Sequence, residues 1–249
     1  MDMLKQALQG AVSAPPPALR RLESALVVGG GGTLGSALLA EALVGGRFQQ
    51  VVALVAGPLA SALRGFVPLP QTVLRQGAPL GAELAFVVFE RARASNGRDD
   101  AFMQPRPTEL VGLARALKAG GVKRLIIVVP HAPALLPMAL KAGFASSDEA
   151  AVAALGFEHL LLLRAAQPGA AATGSLARRF TAWWLGQLRW MVPPSEQPLR
   201  AVTLAALAVQ LARLLPGAPP GTRVVASNLL WQASQGDAEA VLAAWLARP

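Results

Sequence analysis

A cluster of glycines near the start of the chain has the composition and spacing of an anion-binding turn. Residues 29–35 read GGGGTLG, which places glycines three apart at 29, 32 and 35. The first glycine suits a tight turn, the second allows phosphate oxygens to approach the backbone, and the third allows close helix packing. Backbone N–H groups at the start of the following helix also favour an anion. The pattern predicts that a dinucleotide pyrophosphate binds here, at Gly29, Gly30, Gly31, Gly32, Thr33, Leu34 and Gly35. A purely structural glycine turn is the alternative.

Two basic side chains are candidates for acid–base chemistry. His131 follows a predicted buried strand, at the edge of a parallel sheet where ligands bind, so it is a candidate general acid or substrate contact. Lys141 is a candidate donor to a ligand or an oxyanion. A loop histidine and a solvated lysine are the alternatives. No His/Asp/Glu spacing indicates a metal site, and the absence of cysteine excludes disulfides and a cysteine nucleophile.

Further candidates follow the second and fourth predicted strands. Phe89 and the charged Glu90, Arg91 and Arg93 come directly after the fourth strand, where they would border the nicotinamide or the pyrophosphate, or act only as solvated charges. No acidic residue follows the second strand to bind the ribose of NAD, and Arg64 is the first charge after it. The cofactor choice between NADP and NAD therefore stays open, with the basic balance favouring NADP.

The elements around these residues alternate between strand and helix. The glycines lie between an apolar strand, 25–28, and a helical repeat that ends at Gly45-Gly46, and 51–55 reads as the next strand. We expect later strands at 72–74, 85–89, 124–129, 159–163 and 223–227, and helices at 108–119, 148–155, 175–191, 199–215 and 237–246. This alternation predicts an α/β fold: a Rossmann-type doubly wound parallel sheet with helices on both faces and a small C-terminal substrate-side region.

Length and composition indicate a single domain. The chain has 249 residues, 53% hydrophobic and 15% charged. We expect residues 1–22 to be an N-terminal extension and 23–249 one NAD(P)-binding domain, with 165–249 forming its substrate side. No apolar stretch is long enough to span a bilayer and the N-terminus is unlike a secretory signal, so we expect a cytoplasmic protein.

The net charge of +9 comes from scattered basic residues. No docking motif for nucleic acid accompanies them, so nucleic acid is an unfavoured partner. A small-molecule or phosphate-bearing ligand fits the basic balance better, and self-association is left open.

The order of these segments resembles the atypical short-chain dehydrogenase/reductase superfamily, and within it the oxidoreductase-like branch related to Tat-interacting protein. The resemblance is carried by VVGGGGTLGSALLAEAL at 27–43, GRFQQVVALV at 46–55, ELVGLARALKAGGVKRLIIVV at 109–129, EAAVAALGFEHLLLLR at 149–164 and PLRAVTLAALAVQLARLL at 198–215. It implies a bound nicotinamide dinucleotide, and it implies that the last segment lies beside the substrate pocket.

The catalytic residues of that family do not carry over. Its members use a serine after the fifth strand and a Tyr-x-x-x-Lys pair on the next helix. This chain has no tyrosine, the strand ends in Val129-Pro130-His131, and the family's spacing puts the tyrosine position near Lys141. The resemblance therefore implies a cofactor-binding sensor or scaffold without the usual catalysis. An NAD(P)-dependent oxidoreductase, epimerase or dehydratase using His131 and Lys141 is one alternative.

A Trp- and Arg-rich stretch between 178 and 191 suggests the other alternative. It contains Trp183, Trp184 and Trp190 among arginines, a composition that also suits a helix on a membrane surface. Aromatic residues packed on the sheet or lining a partner interface are the favoured interpretation. A membrane-surface or partner-docking protein with a relic cofactor loop remains the third hypothesis.

Overall fold

The computed structural model describes residues 22–59, 61, 63–90, 99–131, 147–166 and 199–248. Its strands are β1 Leu22–Val28, β2 Phe48–Val55, β3 Phe66–Pro70, β4 Leu84–Val88, β5 Arg124–His131, β6 His159–Ala166 and β7 Gly221–Val225. Its helices are α1 Gly32–Leu43, α2 Thr72–Gln76, α3 Leu110–Ala119, α4 Ser147–Ala153, α5 Ala201–Leu214, α6 Ser227–Gln235 and α7 Ala238–Leu246. Short 3₁₀ turns lie at Val44–Gly46, Asp99–Ala101, Pro107–Glu109 and Leu215–Gly217.

The seven strands form one parallel sheet in the order β3-β2-β1-β4-β5-β6-β7. The chain moves outward from β1 to β3 and then returns to add β4 on the other side of β1. This order is that of a doubly wound Rossmann sheet, extended by one strand. The predicted fold class is therefore confirmed.

Both faces of the sheet are covered by helices. In β1, Ala25 and Val27 pack on one face and Leu26 and Val28 on the other, as expected of a strand buried on both sides. Buried side chains of α1, α5, α6 and α7 cover the first face, and those of α3 and α4 cover the second. The C-terminal residues 199–248 thus contribute β7 to the sheet and three helices to one of its layers.

The third strand is the main error of the sequence analysis. Residues 72–74 belong to helix α2, and the strand is β3, Phe66–Pro70. The prediction missed this strand because it contains two prolines. Proline cannot donate a hydrogen bond to the ladder, so it argues against a central strand. β3 lies at the edge of the sheet and pairs only with β2, with Pro68 opposite Ala53 and Pro70 opposite Val55. An edge strand tolerates prolines on its unpaired side.

Other predicted elements differ in their ends. β1 begins at Leu22, three residues before the predicted start, and β7 begins at Gly221. Helix α6 was not predicted, because the short segment 227–235 has few apolar residues at helical spacing. The predicted N-terminal extension before Leu22 and the helix at 175–191 lie outside the described residues.

Candidate functional site

The candidate site lies where the winding of the sheet reverses. β1 and β4 are neighbours, with Val28 opposite Val87 near their carboxyl ends. In doubly wound sheets the crevice outside the carboxyl ends at this point is where ligands bind. The glycine loop, residues 29–35, follows β1 and the residues Phe89 and Glu90 follow β4. The fold thus brings both candidate segments to one edge.

The glycine loop has the geometry that the sequence predicts. Gly29 and Gly32 have φ angles of 85° and 78°, in the left-handed region that side chains rarely adopt. Gly35 lies so close to the backbone of the turn that an added Cβ would collide with the carbonyl oxygen of Gly29. The loop therefore makes a tight strand-to-helix turn with its helix packed close beneath it.

Helix α1 begins without a capping side chain of its own. Gly31 occupies the N-cap and offers no acceptor, and the first turn holds no acidic residue. The first backbone N–H groups of a helix have no partner within the helix, and they need an acceptor from elsewhere. This sequence leaves that acceptor to come from outside the loop.

The carboxylate of Glu90 supplies it. Its Oε2 accepts hydrogen bonds from the backbone N–H of Leu34 at 2.7 Å and of Gly35 at 3.4 Å. The carboxylate lies over Gly32, where an added Cβ would come within 2.8 Å of Oε2. Negative charge at a helix N-terminus interacts favourably with the helix dipole, and hydrogen bonds to an ionised group are strong. The loop thus binds an anion, and the anion belongs to the same chain.

A second segment, residues 99–105, packs against the loop. It crosses between the carboxyl ends of β1 and β2, where the N–H of Gly29 donates to Met103 O at 3.1 Å and that of Met103 donates to Leu54 O at 3.0 Å. Phe102 forms an antiparallel bridge with Val55. No role was predicted for these residues, because nothing in their pattern shows that the chain returns across the sheet here.

Gln104 lies in this segment, residues 99–105, with its amide directed at the loop. A Cβ on Gly31 would collide with Gln104 Nε2 and would approach the carbonyl oxygen of Asp99 to 2.7 Å. Both polar atoms of the Gln104 side chain are buried, and no group in the described part of the chain hydrogen-bonds to them. Buried polar atoms without partners are costly, and strain, a functional role or a bound water or ion is the usual explanation.

Two predicted cofactor residues are not brought to the loop. Phe89 is 5% exposed and packs in the core on the face covered by α3 and α4. Arg64 is exposed and precedes β3, next to Gly65, whose carbonyl accepts from Val51 N at 2.7 Å. Since β3 starts opposite the middle of β2, Arg64 lies toward the amino end of the sheet, away from the glycine loop.

The predicted acid–base residues are only partly described. His131 is the last residue of β5 and pairs with Ala166 of β6, so its backbone lies at the ligand-binding edge. Lys141, Arg91, Arg93 and the tryptophans at 183, 184 and 190 lie outside the described residues. Their predicted roles stay predictions.

One buried ion pair near the carboxyl edge of the sheet was not predicted from the sequence. Arg164 of β6 and Glu149 of α4 are 3% and 5% exposed and lie 2.9 Å apart. The pair ties α4 to the sheet at β6.

The opposite, amino-terminal edge of the sheet carries a second set of charges. Lys123 contacts Glu83 at 2.5 Å, and Arg124 lies 3.7 Å from the same carboxylate. The hydrogen bond from Lys123 lowers the pKa of Glu83 and raises that of Lys123. His159 begins β6 at this edge and is 2% exposed, and burial lowers its pKa. His159 therefore lies away from the ligand edge of the sheet.

The described ranges contain neither a metal-binding cluster nor a membrane-spanning helix. No group of three His, Cys, Asp or Glu side chains there is arranged to hold a metal ion. No described helix has the length and apolar character needed to cross a bilayer.

Comparisons with known proteins find distant matches among solved structures. No protein-family model matches the chain, and no curated protein matches it. A gluconate 5-dehydrogenase from Burkholderia cenocepacia, solved with NADP and tartrate, is 14% identical over 84% of this chain and 97% of that chain, with a TM-score of 0.45. The enzyme WbmG from Bordetella bronchiseptica, solved with NAD, is 15% identical over 89% and 81%, with a TM-score of 0.44. A Rossmann-fold NAD(P)-binding family protein from Shigella flexneri is 13% identical over 67% and 86%, with a TM-score of 0.36. At these values the ligands of those proteins are not evidence about this chain.

Proposed function

We propose that this protein binds a nicotinamide dinucleotide at the glycine loop and acts as a cofactor-binding sensor or scaffold. The observation that carries the proposal is the anion held by the backbone N–H groups of Leu34 and Gly35 in a cradle of glycines. A pyrophosphate oxygen is chemically the same kind of acceptor as the carboxylate oxygen now bound there. The amide of Gln104, to which no described residue hydrogen-bonds, is a further polar group at this loop.

In this proposal each part of the site has a binding role. The N–H groups of Leu34 and Gly35 hold the pyrophosphate, Gly32 leaves room for it, and the crevice between β1 and β4 receives the rest of the cofactor. A bound nicotinamide supplies hydride transfer, but the chain has no tyrosine to act as the proton donor of the resembled family. Loss of general acid catalysis alone costs about 10²–10⁴ in rate.

Cofactor preference follows from the end of β2. The strand is followed by Ala56 and Gly57, which offer no carboxylate for the ribose of NAD. Because the net charge of +9 also favours the additional phosphate of NADP, we propose NADP over NAD. The resemblance to the oxidoreductase-like branch related to Tat-interacting protein agrees with this choice, and the proposal includes membership of that branch.

One enzymatic alternative has a specific observation in its favour. The backbone of His131 lies at the carboxyl end of β5, the edge where a substrate would meet the cofactor. As the proton donor it would allow reduction, epimerisation or dehydration with bound NAD(P). His131→Ala would then abolish a turnover that the sensor proposal does not predict.

Thermal-shift titration with NAD, NADH, NADP and NADPH tests the proposed function. A ligand that binds only the folded state raises the melting temperature progressively with its concentration. We expect a rise with at least one dinucleotide, the largest with NADP or NADPH, and no cofactor oxidation above background in a screen of ketones and aldehydes. Absence of any shift at millimolar dinucleotide would refute binding, and robust turnover would refute the sensor role.

A further inference from the structure

Glu90 and a pyrophosphate cannot use the same donors at the same time. Leu34 N–H and Gly35 N–H already point at Glu90 Oε2, and the carboxylate occupies the space above Gly32 that a phosphate oxygen would need. Each backbone N–H carries a single hydrogen. A ligand at these donors must therefore displace the carboxylate.

The position of Glu90 makes such displacement simple. It lies two residues beyond the end of β4, outside the ladder of the sheet, and 56 residues from Leu34 along the chain. The neighbouring Phe89 is anchored in the core. Rotation of the Glu90 side chain alone can open the two donors, while the backbone of β4 stays in place.

We propose that Glu90 is an intramolecular competitor that keeps the glycine loop closed until a dinucleotide displaces it. This inference rests on the proposed function and adds a regulation to it. The carboxylate caps α1 in the free protein, since neither the N-cap Gly31 nor the first turn provides an acceptor. When a pyrophosphate arrives, the capping charge is exchanged for the ligand's charge. The tethered carboxylate stays close and lowers the apparent affinity.

The Gln104 amide supports this exchange. Its polar atoms have no hydrogen-bond partner in the described part of the chain while Glu90 occupies the loop, and its Nε2 lies against Gly31, next to the Gly32 that the carboxylate covers. The closed arrangement thus satisfies the helix N-terminus but leaves the Gln104 amide beside the loop without a partner among the described residues. A larger polar ligand that spans the loop can satisfy both.

Two variants and a matched control test the inference. Glu90→Gln keeps an acceptor of the same size without the charge, and Glu90→Ala removes the acceptor. Glu239→Gln removes one carboxylate charge from the exposed face of α7, remote from the loop. Each protein is titrated calorimetrically with NADPH and with NADH, and separately with inorganic pyrophosphate. Thermal melts of the free proteins establish that each variant is folded.

The two Glu90 variants should bind dinucleotide roughly tenfold or more tightly than the wild type, the effect of removing a competing charged hydrogen bond. Glu239→Gln should bind like the wild type. Equal dinucleotide affinity in all four proteins would refute competition and leave the proposed function intact. A free Glu90→Ala protein with a lowered melting temperature and unchanged affinity would identify Glu90 as a structural cap only, which also refutes it.

The pyrophosphate titration separates failure of the two proposals. If no protein binds a dinucleotide but Glu90→Ala binds pyrophosphate more tightly than the wild type, the proposed function is wrong and the competition by Glu90 stands for a different anionic ligand. If none of the proteins binds either probe, both proposals are wrong.

Discussion

The two edges of the sheet both carry charge, but they hold it in different ways. At the amino-terminal edge, charged side chains face one another: Lys123 and Arg124 both contact Glu83. At the carboxyl-terminal edge, Glu90 has no cation within salt-bridge distance in the described part of the chain and is held by backbone N–H groups of α1. In a side-chain ion pair, each charge already has its partner of opposite sign. A carboxylate on a helix N-terminus fills a place that another anion can take.

We therefore interpret the amino-terminal edge as structural and propose the carboxyl-terminal edge as the functional one. Exposed ion pairs contribute little to stability and can be replaced with small effect. The glycine loop has a fixed backbone with φ values that side chains tolerate poorly, and its neighbours pack against it from both sides. Changes at the two edges should therefore differ both in size and in what they affect.

The largest loss of stability is expected from adding a side-chain atom at Gly35, where α1 packs closely against the loop. Gly35→Ala places a Cβ against the carbonyl oxygen of Gly29, a backbone atom that cannot move aside. We expect it to cost about 3 kcal/mol of unfolding free energy, the upper end of overpacking effects. Chemical denaturation measures this cost.

Gly112→Ala is the control for Gly35→Ala. Gly112 is an exposed residue inside α3, and a Cβ there meets no atom within 4 Å. Alanine in a helix is more stable than glycine by roughly 0.5–1 kcal/mol, so this variant should be stabilised. Equal effects of the two substitutions would show that the loop is not tightly packed.

A smaller but more specific effect is expected at Gly32. A valine there is strained because φ is 78°, which costs about 1–3 kcal/mol, and its side chain fills the position of the anion. We expect Gly32→Val to fold and to lose dinucleotide binding. Gly81→Val is the matched control, since Gly81 has a φ of 68° and open space around it. It should suffer similar strain and bind normally, and loss of binding in both variants would remove the argument.

At the structural edge, His159 should make stability depend on pH. Burial lowers its pKa from the ordinary value of 6.5, so below pH 6.5 the unfolded chain binds a proton that the folded protein resists. Stability is then full above pH 6.5 and falls as the pH drops toward the lowered value. His159→Gln should flatten this part of the stability profile, measured by denaturation between pH 7.5 and about 5. A profile unchanged by the substitution would mean that His159 does not control it.

The smallest effect is expected from Lys123→Ala. Lys123 is 57% exposed, and its contact with Glu83 is the kind of surface ion pair that is often worth nothing measurable. The melting temperature at neutral pH should stay within error, while the pKa of Glu83 should rise toward its ordinary value of 4.5. Measurement of that pKa by NMR tests the assignment. A large loss of stability would contradict the contrast between the edges.

The secondary-structure elements that were predicted correctly are those whose own residue pattern indicates the structure. The β1–α1–β2 unit, β4, β5 and β6 are continuous apolar segments bounded by glycines or charges, and they form where their patterns indicate. β3 was misplaced because its two prolines argue against a strand. They are tolerated because β3 lies at the edge of the sheet, a tertiary position that no local pattern indicates. The loop conformation at Gly29 and Gly32 follows from glycine spacing alone.

The rest of the site depends on contacts between distant segments. Glu90 was noted as a residue that could border the pyrophosphate, but its hydrogen bonds to residues 55 and 56 positions away follow from the adjacency of β1 and β4. Gln104 was not singled out, since its position depends on a loop that crosses back over β1 and β2. Arg64 was a candidate because it is the first charged residue after β2 in the sequence. In the structure it precedes β3 and lies toward the amino end of the sheet, away from the ligand edge.

The central claim is that the N–H groups of Leu34 and Gly35 bind the cofactor pyrophosphate. The most direct test follows these two amide signals by NMR while ¹⁵N-labelled protein is titrated with NADPH. The account predicts that both signals shift and saturate together with the binding curve, and that Glu90→Gln reaches saturation at lower ligand concentration. Saturable NADPH binding that leaves both amides unchanged would place the cofactor elsewhere and contradict the account.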